Sequence, residues 1–492
     1  MTKRNALVLS ALLLFSTVGL TAGPVPDKNL DRAVRSIKAC DPYSYCKTLA
    51  LPEFAGRLTG SEGYTKAATW AASKFKEWGL KPISAKDGYL QAYPSPYTVV
   101  DKAAMTLLIS EGKPEGDKKP VYKETVLEPN KDFLPLLFTD NGKAEAEVVF
   151  AGWGISAPEL GYDDYAGLDV RGKYILCFRG TPDHQELRYD NYDQHRTRMK
   201  FAKDKGALGI IYIYPEASSN PNGDWLQGFT PAVITEKAAD MLFKEKGVTC
   251  ADLSKSMAAL KRPLSFPLGS KIRYSVESRH FPQGIGYNIV GAIEGSDPVL
   301  KKECVIYGGH FDHCGQHMGF LYPGADDNAS GSATVMAIGR AFAGMNPRPK
   351  RSMVFILFGG EEMGLQGSTY FVDHIPPQFT KVAAMFNFDM TGEGDGAWCG
   401  VSAEPAAFKQ VIEDADKTTK IVRGTGVIRG VGVRGSDFAP FFLKGITCAS
   451  IGSTGPHLAY HQSGDTIYRI NPDIMADIAK LFVAAGYAWA QK

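Results

Sequence analysis

Val305-Ile306-Tyr307-Gly308-Gly309-His310 climbs through apolar, β-favouring residues and two glycines to an imidazole, and the pattern recurs twice downstream. Val354 to Phe358 leads through Gly359 and Gly360 to Glu361 and Glu362, and Met385 to Phe388 leads directly to Asp389. These runs read as parallel strands of an α/β sheet. In such a sheet the ligand crevice lies outside the carboxyl ends of the strands, so the polar groups that follow the three runs are expected to meet there.

Two further residues join them. Asp327 lies in Pro323-Gly324-Ala325-Asp326-Asp327-Asn328-Ala329-Ser330-Gly331, just before Val335, Ile338 and Phe342 recur at helical spacing. His461 lies late in the chain in the polar turn Tyr460-His461-Gln462-Ser463-Gly464-Asp465-Thr466, suited to closing a site from a loop. His310, Asp327, Glu362, Asp389 and His461 form a nitrogen and oxygen donor set that suits zinc. Five ligands exceed the three a single catalytic zinc takes, but suit a pair about 3.5 to 4 Å apart with one bridging carboxylate. Asp327 is the expected bridge, with His310 and Asp389 on one metal and Glu362 and His461 on the other.

The Glu361-Glu362 doublet supplies one carboxylate for metal and a neighbour free to take the proton of an attacking water, because adjacent positions can face opposite ways. Asp312, two residues after His310, is placed to orient that imidazole.

Several segments together resemble the co-catalytic two-zinc aminopeptidase family that includes bacterial leucyl aminopeptidase, aminopeptidase Y and glutamate carboxypeptidase. They are Gly309-His310-Phe311-Asp312-His313, Gly324 to Gly331, Gly359-Gly360-Glu361-Glu362-Met363-Gly364, Asn387-Phe388-Asp389-Met390, and Tyr460-His461 followed by Asp465-Thr466. The resemblance implies a three-layer α/β zinc exopeptidase fold with a mixed, largely parallel central sheet. It implies the same ligand assignment, two Zn2+ per chain, Glu361 as general acid/base and Tyr460 as an aid to the oxyanion. Gly435-Ser436-Asp437-Phe438 departs from the family, where histidine often follows Ser-Asp.

Phe54-Ala55-Gly56-Arg57-Leu58-Thr59-Gly60-Ser61-Glu62-Gly63 resembles the family's opening segment, and an amphipathic helix from Ala68 to Trp78 is expected to end at Gly79. Val148 to Phe150, Tyr174 to Phe178 and Ile210 to Ile213 are further β-rich stretches, and Val148 to Lys173 resembles a protease-associated domain. The expected organisation is a signal peptide (1–22), an N-terminal part of the peptidase domain (23–134), a protease-associated insert (135–265) and the metal-bearing part (266–492).

The 492 residues favour two or three packed units, and a net charge of +2 with dispersed basic residues speaks against nucleic acid. Lys3 and Arg4 precede an apolar stretch from Ala6 to Leu20 and the small residues Thr21, Ala22 and Gly23, which reads as an export signal. No later run is long enough to span a membrane, so a mature protein in the periplasm or extracellular space is expected. Among the eight cysteines only Cys40 with Cys46 is a local candidate for a disulfide. Cys314 is read as a non-ligand, and His313 and His317 as surface residues or supports behind the ligands. His184, His195, His280 and His374 read as solvated, and His457 as a loop residue.

The function expected is removal of N-terminal residues from peptides with a free amine. The rivals are a carboxypeptidase or dipeptidase of the same fold, a single-zinc glutaminyl cyclase, and a non-catalytic receptor-like protein. Oligomeric state and side-chain preference leave no mark in the sequence.

Overall fold

The computed structural model describes residues 27–84, 87–112, 120–182, 187–189, 191–422, 424–426 and 435–492. The expected export signal (1–22) and His184 lie outside the described residues.

Six strands position the site: β1 (Ile285–Ile293), β2 (Glu303–His310), β3 (Ser352–Phe358), β4 (Lys381–Phe388), β5 (Asp395–Glu404) and β6 (Cys448–Thr454). They lie in the order β1-β3-β2-β4-β6-β5. β3, β2, β4 and β6 are mutually parallel, while β1 and β5 flank them antiparallel, giving the mixed sheet expected. β3 is buried along its whole length, which is why its sequence is continuously apolar rather than alternating. After β2 the chain adds β3 on one side and then β4 on the other. The strand order therefore reverses at β2, and a crevice opens beyond its carboxyl end.

Helices cover both faces of this sheet. On one lie α1 (Glu62–Glu77), α2 (Gly331–Ala343) and α3 (Pro472–Ala490). The hydroxyl of Ser61 caps α1 by accepting the Tyr64 N–H, and Gly79 with φ +78° follows its end, as the sequence predicts. Tyr307 of β2 stacks on Phe386 at 5.1 Å and donates its hydroxyl to the Phe482 carbonyl of α3 at 2.9 Å. Gly486 of α3 permits this approach, since a Cβ there would lie 1.5 Å from that hydroxyl. On the other face Gln366–Asp373 and Phe438–Leu443 bury Phe371 and Phe441 against Ile306, Val354 and Ile356. Each buried phenylalanine contributes about 1.5–3 kcal/mol, so the strand ends that carry the ligands sit on a stiff platform.

A second sheet of eight strands has its own core. Its strands run from Tyr97 to Phe281, beyond the expected 135–265 on both sides. The long strands Tyr97–Ser110 and Ser265–Phe281 pair antiparallel with each other, Tyr97 opposite Phe281, and form a stem between the Leu90–Pro94 strand and β1. Stem pairing couples residues more than 150 positions apart and leaves no local signature in either strand. Among the described residues no helix is long and apolar enough to cross a membrane.

Cys40 and Cys46 are both free thiols. They lie on one helix, Cys40–Leu49, where six positions span about 9 Å of axis, beyond the Cα separation of about 4.4–6.8 Å that a disulfide allows. Cys46 instead points inward, its thiol 3.3 Å from the Ala325 carbonyl.

Candidate metal centre

Arg57 organises the floor of the crevice. Its guanidinium is wholly buried and donates to the carbonyls of Phe311 at 2.5 Å, Leu49 at 2.6 Å, and Pro323 and Gly324 at 2.7 Å. One planar cation thus ties the loop after His310 to the loop before Asp327. Asp465 holds the latter loop from the other side, its two carboxylate oxygens accepting the amides of Asp326 at 2.8 Å and Asp327 at 2.9 Å. Burial pushes the Asp465 carboxyl up to about 7. Asp327 and Asn328 leave helical geometry just before α2, which turns the Asp327 carboxylate into the crevice.

The five sequence-predicted ligands converge from β2, β3, β4, the turn before α2 and the loop before α3. Nδ1 of His310 faces the Asp312 carbonyl at 3.3 Å, an acceptor only, so that nitrogen carries the proton. Nε2 then turns a lone pair toward Asp327 Oδ1 and Asp389 Oδ1, each at 3.4 Å. Nδ1 of His461 likewise donates to the Ser219 carbonyl at 2.7 Å, leaving Nε2 to face Glu362 Oε2 at 2.9 Å and Asp327 Oδ2 at 3.2 Å. Two nests of lone pairs result, joined by Asp327.

Such nests do not persist in a buried site without positive charge. Neither Asp327 Oδ2 nor His461 Nε2 has a hydrogen-bond partner among the described residues. Burial disfavours protonated imidazole, yet Glu361 and Asp389 hold His310 well above its ordinary value, and Glu362 does the same for His461. A divalent cation bound among these side chains would supply positive charge, and the mixture of imidazole and carboxylate fits zinc.

Supporting contacts fix each ligand. Ser436 donates to Asp389 Oδ2 at 2.6 Å and accepts from Asn387 at 2.8 Å, so the Ser436-Asp437 segment acts on a ligand. His313 is fully buried with Nδ1 2.8 Å from Glu362 Oε1; it is a support, not a surface residue. His317 is also buried, between Val100 N–H and the Cys314 carbonyl. His195, read as solvated, is buried in the second module against Tyr212, whose strand supplies a wall that the polar context of His195 does not reveal. Cys314 lies behind Glu362, its donor atom within 4.8 Å of those of His313 and Glu362.

Glu361 stands beside the nests, Oε2 3.9 Å from His310 Nε2. Its amide donates to Asp312 Oδ1 at 3.2 Å. Asp312 therefore braces the glutamate, while its main-chain oxygen, rather than its more distant carboxylate, is the nearer partner of His310. Burial raises the Asp312 carboxyl to about 6, against the pull of His310. Burial also lifts Glu361 well above the usual carboxylate range; Glu362 and Asp389 push the same way and His310 opposes. A cavity of about 210 Å3 opens over the cluster, lined among others by Glu361, Asp389, Ser436, His457 and Tyr460. The Tyr460 ring stacks on His461 at 3.9 Å, and His457, in its loop, contacts Asp326 Oδ2 at 2.5 Å.

Local sequence had marked all five residues that meet here, together with Glu361, Asp312 and Tyr460. Arg57, Asp465 and Ser436 were visible as members of quoted motifs, without their roles. Ser219 carried no signal, because it acts through its backbone.

Comparison with known proteins agrees with this geometry. The model of "Peptidase family M28" matches residues 288–486. An aminopeptidase of Pseudomonas aeruginosa is 28% identical over 389 residues, 70% of this chain and 63% of that protein. The match to another curated relative spans 44% of that protein's length. Among solved structures, a peptidase M28 precursor from Shewanella amazonensis shares the fold at TM-score 0.64 and 19% identity, covering 94% of this chain and 95% of that one. A zinc aminopeptidase from Bacillus subtilis shares it at TM-score 0.58 and 20% identity, covering 92% and 95%. Residues 288–486, which include His310, Asp327, Glu362, Asp389 and His461, are the part of the chain that matches peptidase family M28.

Proposed function

We propose that the protein is an exported aminopeptidase that binds two zinc ions and removes N-terminal residues from peptides. The observation that carries this reading is the paired nest of lone pairs joined by Asp327, with an uncommitted glutamate beside it. The aminopeptidases among its relatives support the substrate class. The basic and apolar character of residues 3–20 supports export.

His310 and Asp389 would hold one ion and Glu362 and His461 the other, with Asp327 shared. Zinc bound there lowers the pKa of water toward neutrality and offers a Lewis acid to the scissile carbonyl. Glu361, held by burial with a raised proton affinity, takes the proton of the attacking water and returns it to the leaving amine. Tyr460, at the cavity wall, would donate to the developing oxyanion. Of the carboxylates that line the cavity, Glu361 alone is not assigned to a metal and would face the substrate's free amine.

The test is a panel of free and N-acetylated aminoacyl and dipeptide substrates, with and without chelator. The proposal expects hydrolysis of the free-amine substrates alone, abolished by chelation. Equal hydrolysis of the acetylated series, or release of C-terminal residues from N-blocked peptides, would overturn it.

A further inference from the structure

We infer that the second module is the retaining clamp of one metal nest, so that its seating sets the affinity for the ion held by Glu362 and His461 while leaving the other ion alone. The inference rests on the two-metal reading above.

The contacts are asymmetric. His461 adopts φ +56°, a left-handed conformation that an imidazole residue keeps only when its surroundings enforce it. Ser219 of the second module enforces it twice. Its carbonyl accepts the His461 Nδ1–H at 2.7 Å, and its amide donates to the His461 carbonyl at 2.9 Å. The first bond also fixes the tautomer that aims Nε2 into the nest. Ser219 is 2% exposed, and its segment is fastened to its own module: the Asn220 carbonyl accepts the Leu137 amide at 3.1 Å, and Gly223 lies flat on Phe138.

The backbone just after Glu362, the other ligand of this nest, is gripped from the same side. Arg196, on the helix His195–Asp204, donates to the Met363 carbonyl at 2.8 Å, one residue past Glu362. The rest of its fork is held by Asn222 at 2.6 Å and Asp224 at 2.8 Å. Gly364, at φ +98°, makes room for it, since a Cβ there would lie 2.8 Å from the guanidinium.

Among the described residues the other nest has no such contact with the second module. His310 is oriented by the Asp312 carbonyl, Asp389 by Ser436, and Asp327 through Asp465, all within the matched residues 288–486. The module thus reaches one half of the site through two backbone clasps. Partners that orient ligands in this way typically change metal affinity by about 10- to 100-fold when removed.

The experiment is zinc-buffered equilibrium dialysis of the full chain with metal analysis, on wild type, Arg196→Ala, Ser219→Pro and Asn222→Ala. Wild type is expected to bind two equivalents. In Arg196→Ala and Ser219→Pro one equivalent weakens about tenfold or more and the other keeps its affinity; Asn222→Ala, which only loosens Arg196, shows a smaller split. Arg273→Ala, which removes a surface ion-pair cluster elsewhere on the module, leaves both equivalents unchanged. If Ser219→Pro fails to fold, Arg196→Ala and Asn222→Ala decide, since both side chains sit nearer the surface. Wild type with fewer than two equivalents overturns the site reading and this inference together. Two equivalents in wild type, with folded variants that lose both alike or neither, overturn this inference alone.

Discussion

Asp327 gives its two carboxylate oxygens to two different imidazoles, Oδ1 lying 3.4 Å from His310 Nε2 and Oδ2 3.2 Å from His461 Nε2. A residue that belongs to both nests differs in consequence from one that belongs to a single nest. Asp327→Ala is expected to lose both zinc equivalents, whereas Asp389→Ala loses one. Metal analysis after gel filtration distinguishes them, and equal losses in the two variants would count against the bridge.

Glu361 lies farther from His310 Nε2, at 3.9 Å, than Asp327 and Asp389 do at 3.4 Å, and is assigned the proton rather than the metal. Glu361→Gln keeps size and hydrogen bonding but cannot accept a proton. Its kcat on an aminoacyl substrate is expected to fall by about 10²- to 10⁴-fold with metal content unchanged. Near wild-type turnover would remove Glu361 from its role.

His313 holds Glu362 Oε1 at 2.8 Å from inside the protein. His313→Ala leaves that oxygen without its partner, and chelator competition is expected to show zinc affinity about 10- to 100-fold weaker. An unchanged affinity would make His313 a packing residue only.

Arg57 satisfies four buried carbonyls with one side chain. In Arg57→Ala the Phe311, Leu49 and Pro323 oxygens lose this donor while Gly324 keeps the Ala329 amide, at about 1–3 kcal/mol for each left unsatisfied. Urea denaturation is expected to report a loss above about 4 kcal/mol, in the range reserved for broken buried networks. A loss under about 1 kcal/mol would show that the loops hold their shape without it.

Asp164, fully buried in the second module, accepts the amides of Trp153 and Ile155 and the Tyr162 hydroxyl, yet burial still raises its carboxyl from 3.8 to about 7. The folded state therefore holds this proton more tightly than the unfolded chain. Between about pH 4 and 7 the folded state binds more protons, so this group's contribution to stability declines as pH rises and levels off above 7. Asp164→Asn removes the titration. Thermal unfolding at pH 5 and pH 8 is expected to show a smaller loss toward high pH in the variant than in wild type. The same slope in both would contradict the assignment.

The residues that meet in the crevice were legible because each follows a strand or turn with a distinctive local grammar: Gly308-Gly309-His310, the Glu361-Glu362 doublet, and Phe388-Asp389. Parallel strands buried on both faces announce themselves as apolar runs, and their carboxyl ends announce the crevice. What stayed hidden depends on contacts across long sequence distances. The Tyr97–Ser110 strand alternates in burial and gives no sign that its partner is Ser265–Phe281. Ser219 meets His461 through a carbonyl and an amide, which any residue but proline offers. His313 looks like its neighbours in sequence, and only the fold turns it inward. The Cys40 and Cys46 spacing suited a closed loop, but the segment is helical.

The most direct test of the central claim is the zinc content of the wild-type chain, read alongside activity during chelation and add-back. The account predicts two equivalents per chain at saturation, activity on free-amine substrates lost as they are removed, and recovery when zinc is restored. Full activity in protein stripped of metal, or saturation at a single equivalent, would contradict it.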